Sequence, residues 1–329
     1  MKKFLCLLLC LLTLLSFSAC KSSSAGSRGS LVGGESGASA ADSDKKVKIV
    51  TTIFPPYDFA RQIAKDRAEI TMLIKPGSES HTYEPTLSDI AAIQNCDLFI
   101  YVGGQTDAWV QKILSGNKNK NRREISLLSV VKTYKEEIRE GMTAEHHDDD
   151  SNKPETDEHV WTSPFNAMEI TKVISETLCD KDSKNTAFYT ENKDRFLEKL
   201  QLLNKDFESA VKSAKRKTLV FADRFPFRYF TEQYGLKYYA ALPGCSSDTE
   251  PTLNSVQYLL NVVKSEKIPV VLYIEFSKAT VADKISSITG AKKRQFHSCH
   301  NVSPEDFSDG VTYIDLMRQN LAVLKEALN

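Results

Sequence analysis

Residues 184–215, KNTAFYTENKDRFLEKLQLLNKDFESAVKSAK, contain neither Pro nor Gly. The segment places Phe188, Phe196, Leu197, Leu200, Leu203, Phe207 and Val211 at helix-compatible spacing, which predicts one uninterrupted amphipathic helix. At about 1.5 Å per residue it would form a rod of roughly 45 Å, long enough to join two lobes. The flanking halves of the chain are therefore read separately.

They share a rhythm. In the first half, strand-like runs at 47–53, 69–74, 97–102 and 124–128 alternate with helical patterns at 58–65, 87–95 and 107–114. In the second, runs at 218–222, 236–242, 268–275 and 292–296 alternate with patterns at 227–234, 253–264 and 279–289. Thr86 followed by Asp89 reads as a capping-box start for the helix whose buried face is Leu87, Ile90, Ala91 and Ile93. Alternation of this kind implies parallel-rich sheets covered by helices. The expected fold is α/β: two lobes, each a parallel-rich four-stranded sheet flanked by helices, joined by one long rigid helix. The expected boundaries are a first lobe over 46–182, the linking helix over 183–216 and a second lobe over 217–329.

The N-terminus has the form of a secretory signal. Met1-Lys2-Lys3 precedes an apolar run from Phe4 to about Phe17, ending at Ser18-Ala19-Cys20. The run is shorter than the roughly 20 residues that span a bilayer, and small residues before a cysteine suit bacterial lipoprotein cleavage. Residues 1–19 are expected to be removed, with Cys20 lipidated. Residues 20–45, rich in Ser, Gly and Ala, are expected to be a flexible tether, because they carry too little apolar surface to offset the entropy of ordering. The mature protein is expected outside the cytoplasm, anchored to the cell membrane. With 43 basic and 43 acidic residues, no charge excess points to nucleic acid. No periodicity indicates an obligate oligomer, so a monomer is expected.

Of seven cysteines, Cys6 and Cys10 lie in the signal and Cys20 takes the lipid. Cys245 and Cys299 both fall in loop-like phrases and are expected to pair as a disulfide outside the cytosol. Cys96 and Cys179 read as small buried residues.

All six histidines fall in three groups: His81; then His146, His147 and His159; then His297 and His300. Each group sits near turns or acidic runs. Imidazole suits zinc and its transition-series neighbours, so this distribution suggests metal handling. Ligands of open α/β sheets collect at the carboxyl ends of strands, and both His81 and His297 follow predicted strands, one in each half. A site shared between the lobes accounts for both.

At these phrases the chain resembles a known family, the metal-binding receptors of ABC importers for zinc and manganese, cluster A-I. Pro76-Gly77-x-x-x-His81-Thr82-Tyr83-Glu84-Pro85 resembles its first ligand segment. Asp157-Glu158-His159-Val160-Trp161-Thr162-Ser163-Pro164 is similar to its second, usually Asp-Pro-His-Val-Trp-Leu-Asp-Pro. The third family segment, a phrase like His-Asp-Ala-Phe-Gly-Tyr-Phe, is met here by Phe221 to Phe230, in which extra residues intrude and the histidine is missing; Asp223 is the oxygen donor available there. Counting from Thr289-Gly290-Ala291-Lys292 to the fourth family ligand lands on His297. The resemblance thus implies a site of His81, His159 and His297, completed by Asp223, His300 or water.

Three imidazoles with at most one carboxylate favour zinc (Zn2+) over manganese (Mn2+), which prefers oxygen-rich sites. The acid-rich segment 143–158, with His146 and His147, is either an auxiliary metal-collecting loop or a solvated loop. The resemblance implies a non-enzymatic receptor that hands a metal ion to the membrane subunit of an ABC permease. The alternatives are a manganese receptor of the same family, a secreted zinc hydrolase, against which stands the absence of His-Glu-x-x-His, and a surface adhesin.

Overall fold

A computed structural model describes residues 45–79, 83–116, 119–143, 155–244 and 250–329. The expected signal, Cys20, His81, His146, His147 and Cys245 lie outside the described residues. The first sheet comprises β1 (Val47–Thr51), β2 (Ala68–Met72), β3 (Leu98–Tyr101) and β4 (Arg123–Ser126), all parallel in the order β2-β1-β3-β4. The second comprises β5 (Thr218–Phe225), β6 (Lys237–Pro243), β7 (Val270–Tyr273) and β8 (Lys292–Gln295), again parallel and in the matching order β6-β5-β7-β8. The expected two-lobed α/β fold is the fold of this chain.

Strand alternation assigns each sheet an inner and an outer face. Ile49, Leu98, Ile100, Leu219, Phe221, Val270 and Leu272 point into one continuous core. Val50, Phe99 and Tyr101 pack outward beneath the helices Leu87–Asn95 and Ala108–Gly116. Val220, Ala222 and Val271 do the same beneath Leu253–Ser265 and Thr280–Thr289. The inner core is common to both sheets because the helix Thr186–Ser213 runs between them, contributing Tyr189, Phe196, Leu200, Leu203 and Phe207. This is the predicted linking helix; its 28 residues make a rod of about 42 Å.

Two helices tie the lobes further. Phe54–Ala64 begins four residues earlier than the sequence pattern suggests, because Pro55 and Pro56 occupy its first turn, where a missing N–H costs nothing. Its Asp58, fully buried, accepts from Arg61 (2.7 Å) and from the backbone N–H of Tyr313 (2.8 Å) at the start of the helix Tyr313–Ala327. A charge in the core is thereby paired, and the helix Tyr313–Ala327 is pinned to the helix Phe54–Ala64.

Candidate metal centre

The cleft lies where the carboxyl ends of both sheets meet. After β2, Pro76-Gly77 makes a turn in which Gly77 has φ of 80° and donates to Val302 C=O (2.8 Å). A Cβ at Gly77 would meet Pro304 Cδ at 3.1 Å, so glycine serves both the backbone conformation and the close approach. Asn301 Nδ2 donates to Lys75 C=O (2.8 Å) and Ser78 C=O (2.9 Å), clamping this turn to the loop after β8. From Tyr83 onward, Tyr83 Oη donates to Asp89 (2.8 Å), and Thr86 caps the next helix in the predicted capping box.

The second segment presents His159, which is buried. Asp157 Oδ1 accepts from the His159 backbone N–H (2.9 Å) and lies 3.2 Å from its Nδ1. A carboxylate on Nδ1 fixes the tautomer with Nε2 as the electron-pair donor, the usual support for a metal-binding imidazole. Burial opposes charge on this ring, but Asp157, with Glu158 and Glu136 adding to it, raises the His159 pKa above its ordinary value.

The third wall comes from the ends of β7 and β8. Glu275, buried just past β7, accepts from the Ser298 backbone N–H (2.7 Å) and from Ser298 Oγ (2.5 Å). Trp161 Nε1 donates to Ser298 C=O (2.8 Å), and the His300 N–H donates to Ser298 Oγ (3.2 Å). The loop so held brings the His300 ring to 5.6 Å from that of His159, nearly perpendicular at 84°, with Trp161 5.0 Å from His300 as a shared apolar floor.

His300, rather than His297, is therefore the histidine placed beside His159. The His297 ring lies against Gln319 (Nε2 to Oε1, 3.1 Å), and its backbone is held on both sides by Asn320 at 2.7 Å. The cause is local. Cys299 adopts a left-handed conformation (φ 60°), which drops its side chain into the core and turns the next residue to the cleft. This also corrects the expected bridge: Cys299 is a free, buried cysteine whose thiol pKa is raised well above the usual range by burial, and Cys245 lies outside the described residues. Cys96 is buried as expected and Cys179 is partly exposed.

Asp223 does not join the two imidazoles either. Its carboxylate accepts from the backbone N–H of Arg224 (2.8 Å) and of Ile274 (3.4 Å), bracing β5 against β7, and it faces a neighbouring groove. The residue that reaches the cleft is Arg224, turned inward by the register shift between Phe221 and Arg224 on β5. Aligned without a gap on its aromatic run, Arg224-Phe225-Pro226-Phe227-Arg228-Tyr229-Phe230 shares Phe227, Tyr229 and Phe230 with His-Asp-Ala-Phe-Gly-Tyr-Phe. No residue intrudes, contrary to the sequence reading; arginine stands at the histidine position. Its Nη2 is 3.1 Å from Glu79 Oε2 of the opposite lobe.

Ser78, Glu79, His159, Arg224, Glu275 and His300 thus surround a space of about 30 Å³. That is about the share of one liquid water, an order of magnitude below an organic-ligand site, so the cleft suits a single ion. Among the described residues no three His, Cys, Asp or Glu side chains gather into a complete metal site. Glu275 and Arg224 were missed at the sequence level: the first was read as the end of a strand, and the second was hidden by the miscounted register.

Paired parallel α/β lobes with imidazoles at their shared cleft define the class of bilobed metal-binding receptors. Over residues 49–327 the chain matches the family described as zinc-uptake complex component A, periplasmic, and it belongs to that family. It is 32% identical over 287 residues to the high-affinity zinc uptake system protein ZnuA of Bacillus subtilis, spanning 86% of this chain and 88% of that protein. It is also 32% identical over 289 residues to the zinc-binding lipoprotein AdcA of Streptococcus pneumoniae, with 86% of this chain matched to only 56% of that longer protein. The crystal structure of the Zn(II)-bound ZnuA-like domain of pneumococcal AdcA superposes with a TM-score of 0.72 at 30% identity, covering 86% of this chain and 99% of that one. The metal-dependent lipoprotein YcdH of B. subtilis gives 0.74 at 30% identity, covering 86% and 100%.

Proposed function

We propose that this chain is the extracytoplasmic receptor of an ABC importer, binding one zinc ion between its lobes and delivering it to the permease in the membrane. The observation that carries the reading is the pairing of His159 with His300 in a small cleft at the carboxyl ends of both sheets. His81, in a phrase resembling the family's first ligand segment, supplies the third imidazole. Three nitrogen donors favour zinc over manganese. Glu275 orients the His300 loop through Ser298 and stands ready as an oxygen donor. The family is a transport component rather than an enzyme, and zinc here is cargo.

Capture with little lobe movement follows from the common core. Separating the lobes widely would expose apolar surface shared between both sheets and the helix Thr186–Ser213, so loading is expressed as loop ordering or a small tilt. Lipidation of Cys20 and removal of residues 1–19 would keep the receptor at the membrane surface. His146 and His147 are auxiliary collectors in this scheme.

The test is competition for zinc and manganese between the chelator-stripped protein and a calibrated indicator, with His81→Ala, His159→Ala and His300→Ala alongside. Tight one-to-one zinc binding, lost in each variant and selective against manganese, is expected. Absence of tight zinc binding by the unaltered chain overturns the reading.

A further inference from the structure

The metal cleft shares a wall with a second, larger space that the receptor reading leaves unused. This groove, of about 460 Å³, is lined by Asp223, Arg224, Glu250, Phe276, Lys278 and Thr280, among others. It lies outside the carboxyl ends of β5 and β7, where the order β6-β5-β7-β8 reverses direction, the crevice in which open α/β sheets bind ligands. Its volume is that of a small-molecule site, whereas the cleft beside it admits an ion. Glu79, Arg224 and Phe276 line both spaces, so the interlobe ion pair stands at their junction. Phe276 is half exposed at a φ of 59°, a conformation costly for a bulky side chain. The fold holds an aromatic ring at the junction against its backbone preference.

The corresponding crevice of the first lobe shows what such a place accepts. Beyond β3, Glu158 is buried, and its Oε1 accepts from the Thr106 N–H (3.1 Å). A Cβ at Gly104 would collide with this carboxylate. The first lobe thus fills its crevice with an acid of its own. In the second lobe Lys278 and Glu250 border the space, and both are exposed. Among the described residues neither forms an ion pair. With Arg224 at one end, the groove offers both signs of charge, the complement of a zwitterion.

Arg224 also stands where the family phrase has histidine, so the chain lacks an imidazole at the point where groove and cleft meet. We infer that this receptor takes its zinc together with a free amino acid that bears an imidazole, held in the groove beside the cleft. The inference rests on the receptor reading above and names the form in which that site receives its cargo. The ligand's ring nitrogen supplies zinc with the donor that Arg224 cannot. Its carboxylate pairs with Arg224 and Lys278, guanidinium being the group best matched to a carboxylate, and its ammonium faces Glu250. Phe276 gives the ring an apolar surface at the junction. Arginine at the histidine position thereby exchanges a donor fixed in the chain for one carried by the cargo.

The experiment dialyses the chelator-stripped protein against radiolabelled L-histidine, with and without one equivalent of zinc, at histidine concentrations that leave zinc on the protein. Labelled glycine and citrate are run in parallel, and affinity for zinc alone is read with a calibrated indicator. About one histidine retained per chain is expected with zinc present, with retention at least roughly tenfold weaker without it. Lys278→Ala and Glu250→Gln are each expected to weaken retention roughly tenfold while affinity for zinc alone stays within about twofold. Arg224→His, which returns an imidazole to the chain, is expected to bind zinc and retain no histidine. Tight zinc binding with no histidine retained by the unaltered protein overturns the inference and leaves the receptor reading intact. Equal retention of glycine or citrate overturns the imidazole, equal retention without zinc overturns the shared cargo, and retention indifferent to both groove variants overturns the groove. Absence of tight zinc binding overturns the receptor reading and this inference together.

Discussion

Arg224 Nη2 lies 3.1 Å from Glu79 Oε2, joining the two lobes beside the paired imidazoles of His159 and His300. A guanidinium stays protonated and cannot donate an electron pair to a metal, so arginine at this point removes a ligand and replaces it with an ion pair. Arg224→His is therefore expected to add a nitrogen donor and tighten zinc binding by roughly tenfold or more, the fourth ligand offsetting the lost interlobe pair. Chelator competition reads the change. Weaker binding in the variant would mean that the ion pair contributes more to the loaded state than a further imidazole does.

The two histidines of the His297-Ser298-Cys299-His300 phrase should separate cleanly. His300→Ala removes a ring from the cleft and is expected to lower zinc affinity by about two orders of magnitude or more. His297→Ala removes a ring resting on Gln319 and is expected to change affinity less than about threefold, since the backbone bonds to Asn320 remain. Equal losses in the two variants would place His297 in the coordination sphere of the loaded protein.

Protons compete with zinc for His159. Burial lowers the His159 pKa, but Asp157 together with Glu158 and Glu136 brings it above its ordinary 6.5. The sign is that of a group favoured in its charged form by the fold: its stabilisation is fully present below pH 6.5 and is lost as pH rises through the higher folded value. Zinc needs the neutral ring, so affinity should begin to fall at a higher pH than for an isolated imidazole. Asp157→Asn is expected to move that acid limb to lower pH while reducing affinity at pH 8 by roughly 10- to 100-fold, because the ring loses its orienting carboxylate. Zinc titrations between pH 5.5 and 8 test both effects, and an unmoved acid limb would contradict the assignment to His159.

How much of this was legible in the sequence depends on the scale of the cause. The helix Thr186–Ser213 was plain because its apolar spacing runs unbroken for seven turns, and short β-branched or apolar runs marked strands such as β1 and β5. The helix Tyr313–Ala327 went unassigned although its Thr312 and Asp315 form a capping box, a signal of the kind that located Leu87–Asn95. The first strand of the second lobe runs on to Phe225 through an irregularity that periodicity does not encode, and Arg224 emerges there. The choice between His297 and His300 hangs on one left-handed residue, Cys299, at a position where neither glycine nor asparagine advertises it. Periodic burial is written over many residues; a site is decided by single dihedral angles.

Asp107 gives a stability prediction independent of the metal. It is buried at the carboxyl end of β3, where its Oδ2 accepts from the backbone N–H groups of Val102 (2.7 Å) and Gly103 (3.1 Å). Burial nevertheless dominates, and with the nearby Glu158 carboxylate adding repulsion its pKa is pushed up from 3.8 to about 7. Between those values the folded chain holds a proton that the unfolded chain has released, so this group costs stability as pH rises from about 4 to 7. Asp107→Asn retains an oxygen for both N–H groups and has no charge to desolvate. The variant should gain stability relative to the parent as pH rises through that window, with the gain levelling off above about pH 7. Urea unfolding of both proteins at pH 4.5, 6 and 8 measures it; a pH-independent difference would show that Asp107 is ionised in the fold throughout, its two backbone bonds having overcome burial.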